Sequence, residues 1–120
     1  IFCTAPALRN YPVNFLCEGI ATFFLMFIIW MIFSKQVGVI PVGLGPYIVG
    51  VLIWALGLSL GGPTGYAINP ARDLGPRIAH AILPIAGKGG SDWGYAWVPI
   101  CAPLCGAGFA YVVAHALGVF

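Results

Sequence analysis

Apolar and polar positions alternate along this chain in long blocks rather than residue by residue. Phe15 to Phe33 (FLCEGIATFFLMFIIWMIF) runs for 19 residues with one charge, Glu18, and Val42 to Leu60 (VGLGPYIVGVLIWALGLSL) runs for another 19 with none. Trp97 to Phe120 continues for 24 residues without an acid, Lys or Arg. Roughly 20 apolar residues at 1.5 Å each cross hydrocarbon about 30 Å thick, so the pattern predicts three spanning helices, at about 15–33, 42–60 and 97–119. Gly38 and Pro41 suit the turn between the first two. Trp93, Tyr95 and Trp97 cluster where the third begins, as an interfacial aromatic belt does.

The segment between the second and third tracts, about 61–95, holds five of the eight formal charges. It is not patterned as a solvated loop, because Ile68, Leu74, Ile78, Ala79, Ala81, Ile82 and Leu83 form an apolar stripe at spacings of three and four. Asn69 is a suitable N-cap, Pro70 suits the first helical position and Pro84 ends the run, which predicts a helix over 70–83. About 20 Å long, it reaches only partway across a bilayer. Residues 61–69 precede it with GGPTGYAIN, poor helix material. In a membrane such an extended arm persists only where protein buries it or water lines it, so a re-entrant loop followed by a half-helix implies an aqueous path.

That geometry assigns chemistry to particular residues. The Asn69 amide oxygen can accept a cap bond and leave its NH2 to donate into a lumen, while inward-turned carbonyls of Gly65, Tyr66 and Ala67 would accept from hydroxyls or water. Arg72, one turn into the helix, adds a fixed positive charge to the positive end of the helix dipole. Cations and protons meet a barrier there, and anions must shed water in an apolar channel, so neutral solutes are favoured.

Composition agrees: 61% of the 120 residues are hydrophobic, 7% are charged and the mean hydropathy is +1.00, unlike a water-soluble domain. Basic residues are too sparse to orient the spans. The chain opens on Ile1 without an initiator Met or signal sequence and is expected to be part of a longer gene product. Cys3, Cys17, Cys101 and Cys105 have no CxxC spacing and read as small packing residues; His80 and His115 read as hydrogen-bonded structural histidines. No metal, cofactor or nucleic-acid signal is present, and no nucleophile, base and orienter can be named for an enzyme.

The run Asn69-Pro70-Ala71-Arg72-Asp73, followed by Leu74-Gly75-Pro76-Arg77 and preceded by GPTGYAI, resembles the second NPA box of the major intrinsic protein, or aquaporin, family. The resemblance covers nearly the whole chain and implies an all-α membrane protein: the C-terminal half of an aquaporin-like inverted-repeat bundle, with three transmembrane helices and one re-entrant half-helix. It implies a homotetramer in the cell membrane, with the N-terminal half of the pore supplied by a segment outside these residues; the compactness of the chain suggests a bacterium, and so the inner membrane. Asp73 after Arg72 resembles the glycerol-facilitator branch. By the same resemblance Gly57 and Tyr66 fall at selectivity-filter positions, Gly57 leaving room for a carbon backbone and Tyr66 walling its CH side. Two other readings stay open: Gly57 and Gly61 as a GxxxG pair that lets two helices approach, and Tyr66 as an interfacial anchor. Glu18 has three: a brace accepting backbone N–H bonds from the re-entrant loop, as the resemblance implies, a side chain snorkelling to the interface, and a proton relay. Asp73 and Arg77 are expected to pair with loop or neighbouring-subunit groups.

The expected function is a passive channel for glycerol, water and other small uncharged polyols. A strictly water-selective channel, a coupled secondary transporter and a non-transporting assembly module are the alternatives.

Overall fold

The computed structural model describes residues 3–120. They form four helices, α1 (Tyr11–Ile32), α2 (Leu44–Leu60), α3 (Pro70–Ile82) and α4 (Trp93–Ala116), with no strand among the described residues. Each start has a local cause. Asn10 caps α1, its side chain accepting from the Val13 N–H at 3.3 Å, and Pro12 follows in the first turn. Gly43 enters α2 in the left-handed region at φ 88°, a conformation that costs a residue with a Cβ. Asn69 caps α3 ahead of Pro70. Its far end is closed by Lys88, whose ammonium donates to the carbonyls of His80, Ala81 and Leu83 at 2.7, 2.9 and 2.6 Å. A cation there satisfies carbonyls that have no intrahelical partner and complements the dipole.

Helices α1 and α4, of 22 and 24 residues, are long and apolar enough to cross a membrane, and α2, with 17, stands at the short end of that range. Two helices start earlier than the apolar tracts, α1 at Tyr11 rather than Phe15 and α4 at Trp93 rather than Trp97. The earlier start of α4 corrects the aromatic belt. Trp93 and Trp97, four apart, share an exposed face, whereas Tyr95 points the opposite way and is completely buried. Its ring lies 6.3 Å from that of Tyr11.

The principal contact is α1 against α4. On α4 the buried positions Ala102, Gly106, Ala110 and Ala114 recur every fourth residue, and α1 buries Asn14, Glu18, Ala21, Thr22 and Leu25. Small residues at this spacing let backbones approach closely where lipid supplies no hydrophobic drive. The approach is tightest at Gly106, where a Cβ would collide with the Gly19 carbonyl. Cys101 and Cys105, expected in the packing, are exposed on the outer side of α4.

Helix α3 packs on α4, while α2 leans on α1 alone. Where α1, α2 and the 61–69 loop converge, Ala21, Leu25, Leu56 and Ile68 form a small buried cluster flanked by Ile29, Leu52, Leu60 and Tyr66. Most of α2 remains bare, including Trp54 and Leu58.

Gly106→Ala is expected to force α1 and α4 apart and to destabilise the bundle by about 1–3 kcal/mol. The check is the thermal unfolding midpoint in detergent, followed by circular dichroism, against a control substitution at the exposed Gly108.

Candidate functional site

The polar stretch between α2 and α3 is held inside the helical bundle by one buried acid. Glu18 is 1% exposed, and its two carboxylate oxygens accept from the backbone N–H groups of Ala67 and Ile68 at 2.9 and 2.8 Å. Glu18 lies seven residues past Tyr11, about 10 Å along α1. The loop tip therefore sits within the length of α1, not beyond its end. The backbone there is irregular: Gly65, Tyr66 and Ile68 have φ of 82°, 41° and 44°. Left-handed values at two residues bearing a Cβ are sparsely populated and need surrounding contacts to hold them. The Glu18 bonds, together with Gly65 N–H donating to Gly61 O at 2.8 Å, supply them.

From this loop α3 starts at Asn69. The Asn69 amide oxygen accepts from the Ala71 N–H at 2.9 Å, and the residue is exposed at the helix tip. That bond uses the amide oxygen and not the amide nitrogen, which is a donor. Arg72 is exposed one turn on, and its guanidinium carbon stands 5.4 Å from the centroid of the Tyr66 ring, within cation–π range. Tyr66, half-buried, lies in turn against Gly57, where a Cβ would meet its ring at 3.1 Å. Sequence positions 57, 66, 69 and 72 are thereby brought to one place. A shallow concavity of about 400 Å³ beside them is lined by Gly50, Ile53, Trp54, Gly57, Leu58 and Tyr66. Gly65 and Tyr66 are half-buried, but Ala67 is wholly buried, so its carbonyl is not open to a solute.

Among the described residues no neighbouring helix is seated on the pair Gly57 and Gly61. A Cβ at Gly61 would collide with the Gly57 carbonyl and stand 2.6 Å from Tyr66 Cδ1, so both glycines make room for the tyrosine ring.

Asp73 points away from the exposed tip and is completely buried. It accepts from Arg77 through both oxygens, Nε to Oδ2 and Nη2 to Oδ1, each at 2.8 Å, and its Oδ1 also accepts from the Thr4 N–H at 2.7 Å and hydroxyl at 2.6 Å. Arg77 extends the network to the carbonyls of Thr4 at 2.9 Å, Ser91 at 2.9 Å and Asp92 at 3.1 Å. A buried pair of this kind holds only when its remaining donors and acceptors are also satisfied, and here they are. The network joins α3 to the segment before α1 and to the α3–α4 connection. His80 bonds the same connection, Nδ1 to Ser91 Oγ at 2.9 Å. At the surface Arg9 closes the clasp, donating through both Nη atoms to Asp92 and lying 5.5 Å from the Tyr95 ring centroid.

The i,i+4 spacing of Asp73 and Arg77 was a readable signal for their pairing. Thr4 and Lys88 carried none, since their partners lie at tertiary distance or depend on where α3 stops.

The sequence model of the family described as major intrinsic protein matches residues 3–114. The chain is 57% identical over 117 residues to glycerol uptake facilitator protein 3 of Lactiplantibacillus plantarum, covering 98% of this chain and 48% of that protein. It is 57% identical over 106 residues to the probable glycerol uptake facilitator protein of Thermotoga maritima, covering 88% and 44%. Its fold superposes on the X-ray structure of the aquaglyceroporin from Plasmodium falciparum with a TM-score of 0.78 at 29% identity, over 92% of this chain and 47% of that one. The chain spans about half the length of the curated relatives it matches.

Glu18→Gln leaves one of the two loop N–H groups facing an amide NH2, a loss of about 1–3 kcal/mol. Faster hydrogen–deuterium exchange at the amides of residues 65–69 is the expected result. The clasp makes a pH prediction. The Arg9 guanidinium bonded to Asp92 holds that carboxyl below the ordinary carboxylate range. Because the shift is downward, the bond stabilises above the unfolded value of about 3.9 and is lost as pH falls through the lower folded value. A thermal midpoint difference between wild type and Asp92→Asn should be present at pH 7 and close once Asp92 protonates.

Proposed function

The chain belongs to the major intrinsic protein family, and from that premise we propose that it is the C-terminal half of a passive channel for glycerol, water and other small uncharged polyols. The observation that carries this reading is the convergence of Arg72, Tyr66 and Gly57 beside the capped tip of α3. A polyol has a CH side and a hydroxyl side. The Tyr66 ring offers the first an apolar wall, and the absent side chain of Gly57 leaves width for a carbon backbone. Arg72 and the Asn69 amide nitrogen donate to the hydroxyl oxygens, and the carbonyls of Gly65 and Tyr66 accept from the hydroxyl hydrogens.

Exclusion follows from the charge at the same place. The fixed guanidinium and the positive end of α3 repel cations and protons, and an anion gains their attraction only after losing its water. Glu18 is a poor candidate for a proton relay, since both of its oxygens are engaged by loop N–H groups. That engagement supports passive conduction over coupling to a proton gradient.

The second half of the pore is an upstream segment whose own half-helix meets α3 near the midplane. It would also cover the bare faces of α2. The assembly is a homotetramer in a bacterial inner membrane, with lipid around its perimeter.

The complete channel in liposomes is expected to give glycerol flux without ion current in stopped-flow light scattering and bilayer recordings. Gly57→His is expected to reduce glycerol permeability about tenfold or more relative to water, the scale on which a filled pocket discriminates. Equal loss of both permeabilities would remove Gly57 from the filter.

A further inference from the structure

We propose that the groove between the end of α1 and the start of α2 binds an anionic phospholipid, its acyl chain lying in the groove and its phosphate meeting Lys35. The groove has a volume of about 590 Å³ and is lined by apolar side chains, among them Ile28, Ile32, Val37, Val39, Leu44 and Ile48. Residues 28–32 and 44–48 each cover about one helical turn, so the groove runs roughly 6 Å along the two helices. Gly38 and Gly43, at φ 84° and 88°, turn the connecting chain at either end of residues 39–42. That stretch presents its side chains outward: Val39 is 100% exposed, and Val42 is equally bare. Water penalises two bare valines beside an open apolar groove, and hydrocarbon does not.

Lys35 lies in the same connection, between the groove residues Ile32 and Val37. Because α1 is long and apolar enough to cross a membrane, its last turn ends near a bilayer surface and Lys35 stands at headgroup depth. Its neighbour Gln36 ties the connection to the end of α4, donating through Nε2 to the Gly118 carbonyl at 3.2 Å. The other cations lie against groups of this chain: Arg9 against Asp92, Arg72 against the Tyr66 ring, Arg77 against Asp73 and Lys88 against the carbonyls that end α3. Lys35 is exposed and bonds no group among the described residues.

The distribution of acids selects the occupant. None of the three acidic side chains lies at this end: Glu18 is held inside the bundle, and Asp73 and Asp92 bond Thr4 and Arg9, which precede α1. Copies of a chain in one membrane share an orientation, so a second copy brings its own Lys35 to this level and no acid to meet the first. A zwitterionic lipid fills the groove but carries a cation beside its phosphate. An anionic phospholipid brings both the chain that the groove lacks and the net charge that Lys35 lacks.

The test is native mass spectrometry of the complete channel released from nanodiscs that contain equal parts of phosphatidylglycerol and phosphatidylcholine with the same acyl chains. The wild type is expected to retain the anionic lipid preferentially. Lys35→Gln should lower the ratio of anionic to zwitterionic lipid retained about fivefold, the weight of one basic residue at an anionic surface. Lys35→Arg should keep the ratio. Val39→Asp, at a fully exposed position with no packing to lose, sets a carboxylate at the edge of the groove and should lower the ratio as well. Equal retention of the two lipids by the wild type overturns the proposal, and so does a ratio that Lys35→Gln and Val39→Asp both leave unchanged. A lower oligomeric mass in those variants, with lipid retention unchanged, also overturns it and gives the groove to a protein surface.

Discussion

A carboxylate buried in the middle of an apolar helix is costly unless its oxygens are satisfied, and backbone N–H groups left bare in an apolar interior are costly for the same reason. In this chain each of these problems answers the other. Glu18 on α1 takes the N–H groups of Ala67 and Ile68, which an extended loop cannot pair within itself. The loop thereby runs inside the bundle instead of over its surface. The left-handed residues, the position of Asn69 and the direction in which α3 leaves all depend on that pair of bonds.

Once the tip is fixed from within, the body of α3 needs a hold of its own. Asp73 and Arg77 supply it by facing inward from a helix whose other side carries Arg72. The division is set by helical periodicity: residues 73 and 77 lie one turn apart on the buried face, and residue 72 is rotated away from them. Thr4, Ser91, Asp92 and Lys88 then tie the two connecting segments to the same helix. The short helix is thus held by polar bonds, because its apolar stripe is not buried against the described residues: Ile78, Ile82 and Leu83 are exposed, and the buried residues of α3 are Asp73 and Arg77.

Glycine acts in two distinct ways in this architecture. At Gly106 the missing side chain lets α4 reach the backbone of α1, which fixes the separation of the two long helices. At Gly57 and Gly61 the space is taken by a ring from the loop, so two glycines at the spacing of a helix-packing motif serve a tyrosine. Spacing alone cannot separate these uses, since both require the same absence of a Cβ.

Read without coordinates, the chain already determined its apolar tracts, the cap at Asn69, the start of α3 at Pro70, its end near residue 83 and the grouping of Asn69, Pro70, Ala71 and Arg72 at a helix tip. These follow from local rules of period, capping and chain length. Tertiary structure alone decided that Tyr95 turns inward while Trp93 and Trp97 face out, that Ala67 is covered, that Thr4 completes the Asp73 site 69 residues away, and that Tyr66 occupies the glycine seat. Those outcomes depend on which surfaces meet across α1, α4 and the loop, and a one-dimensional pattern specifies that a residue can be buried without specifying by what.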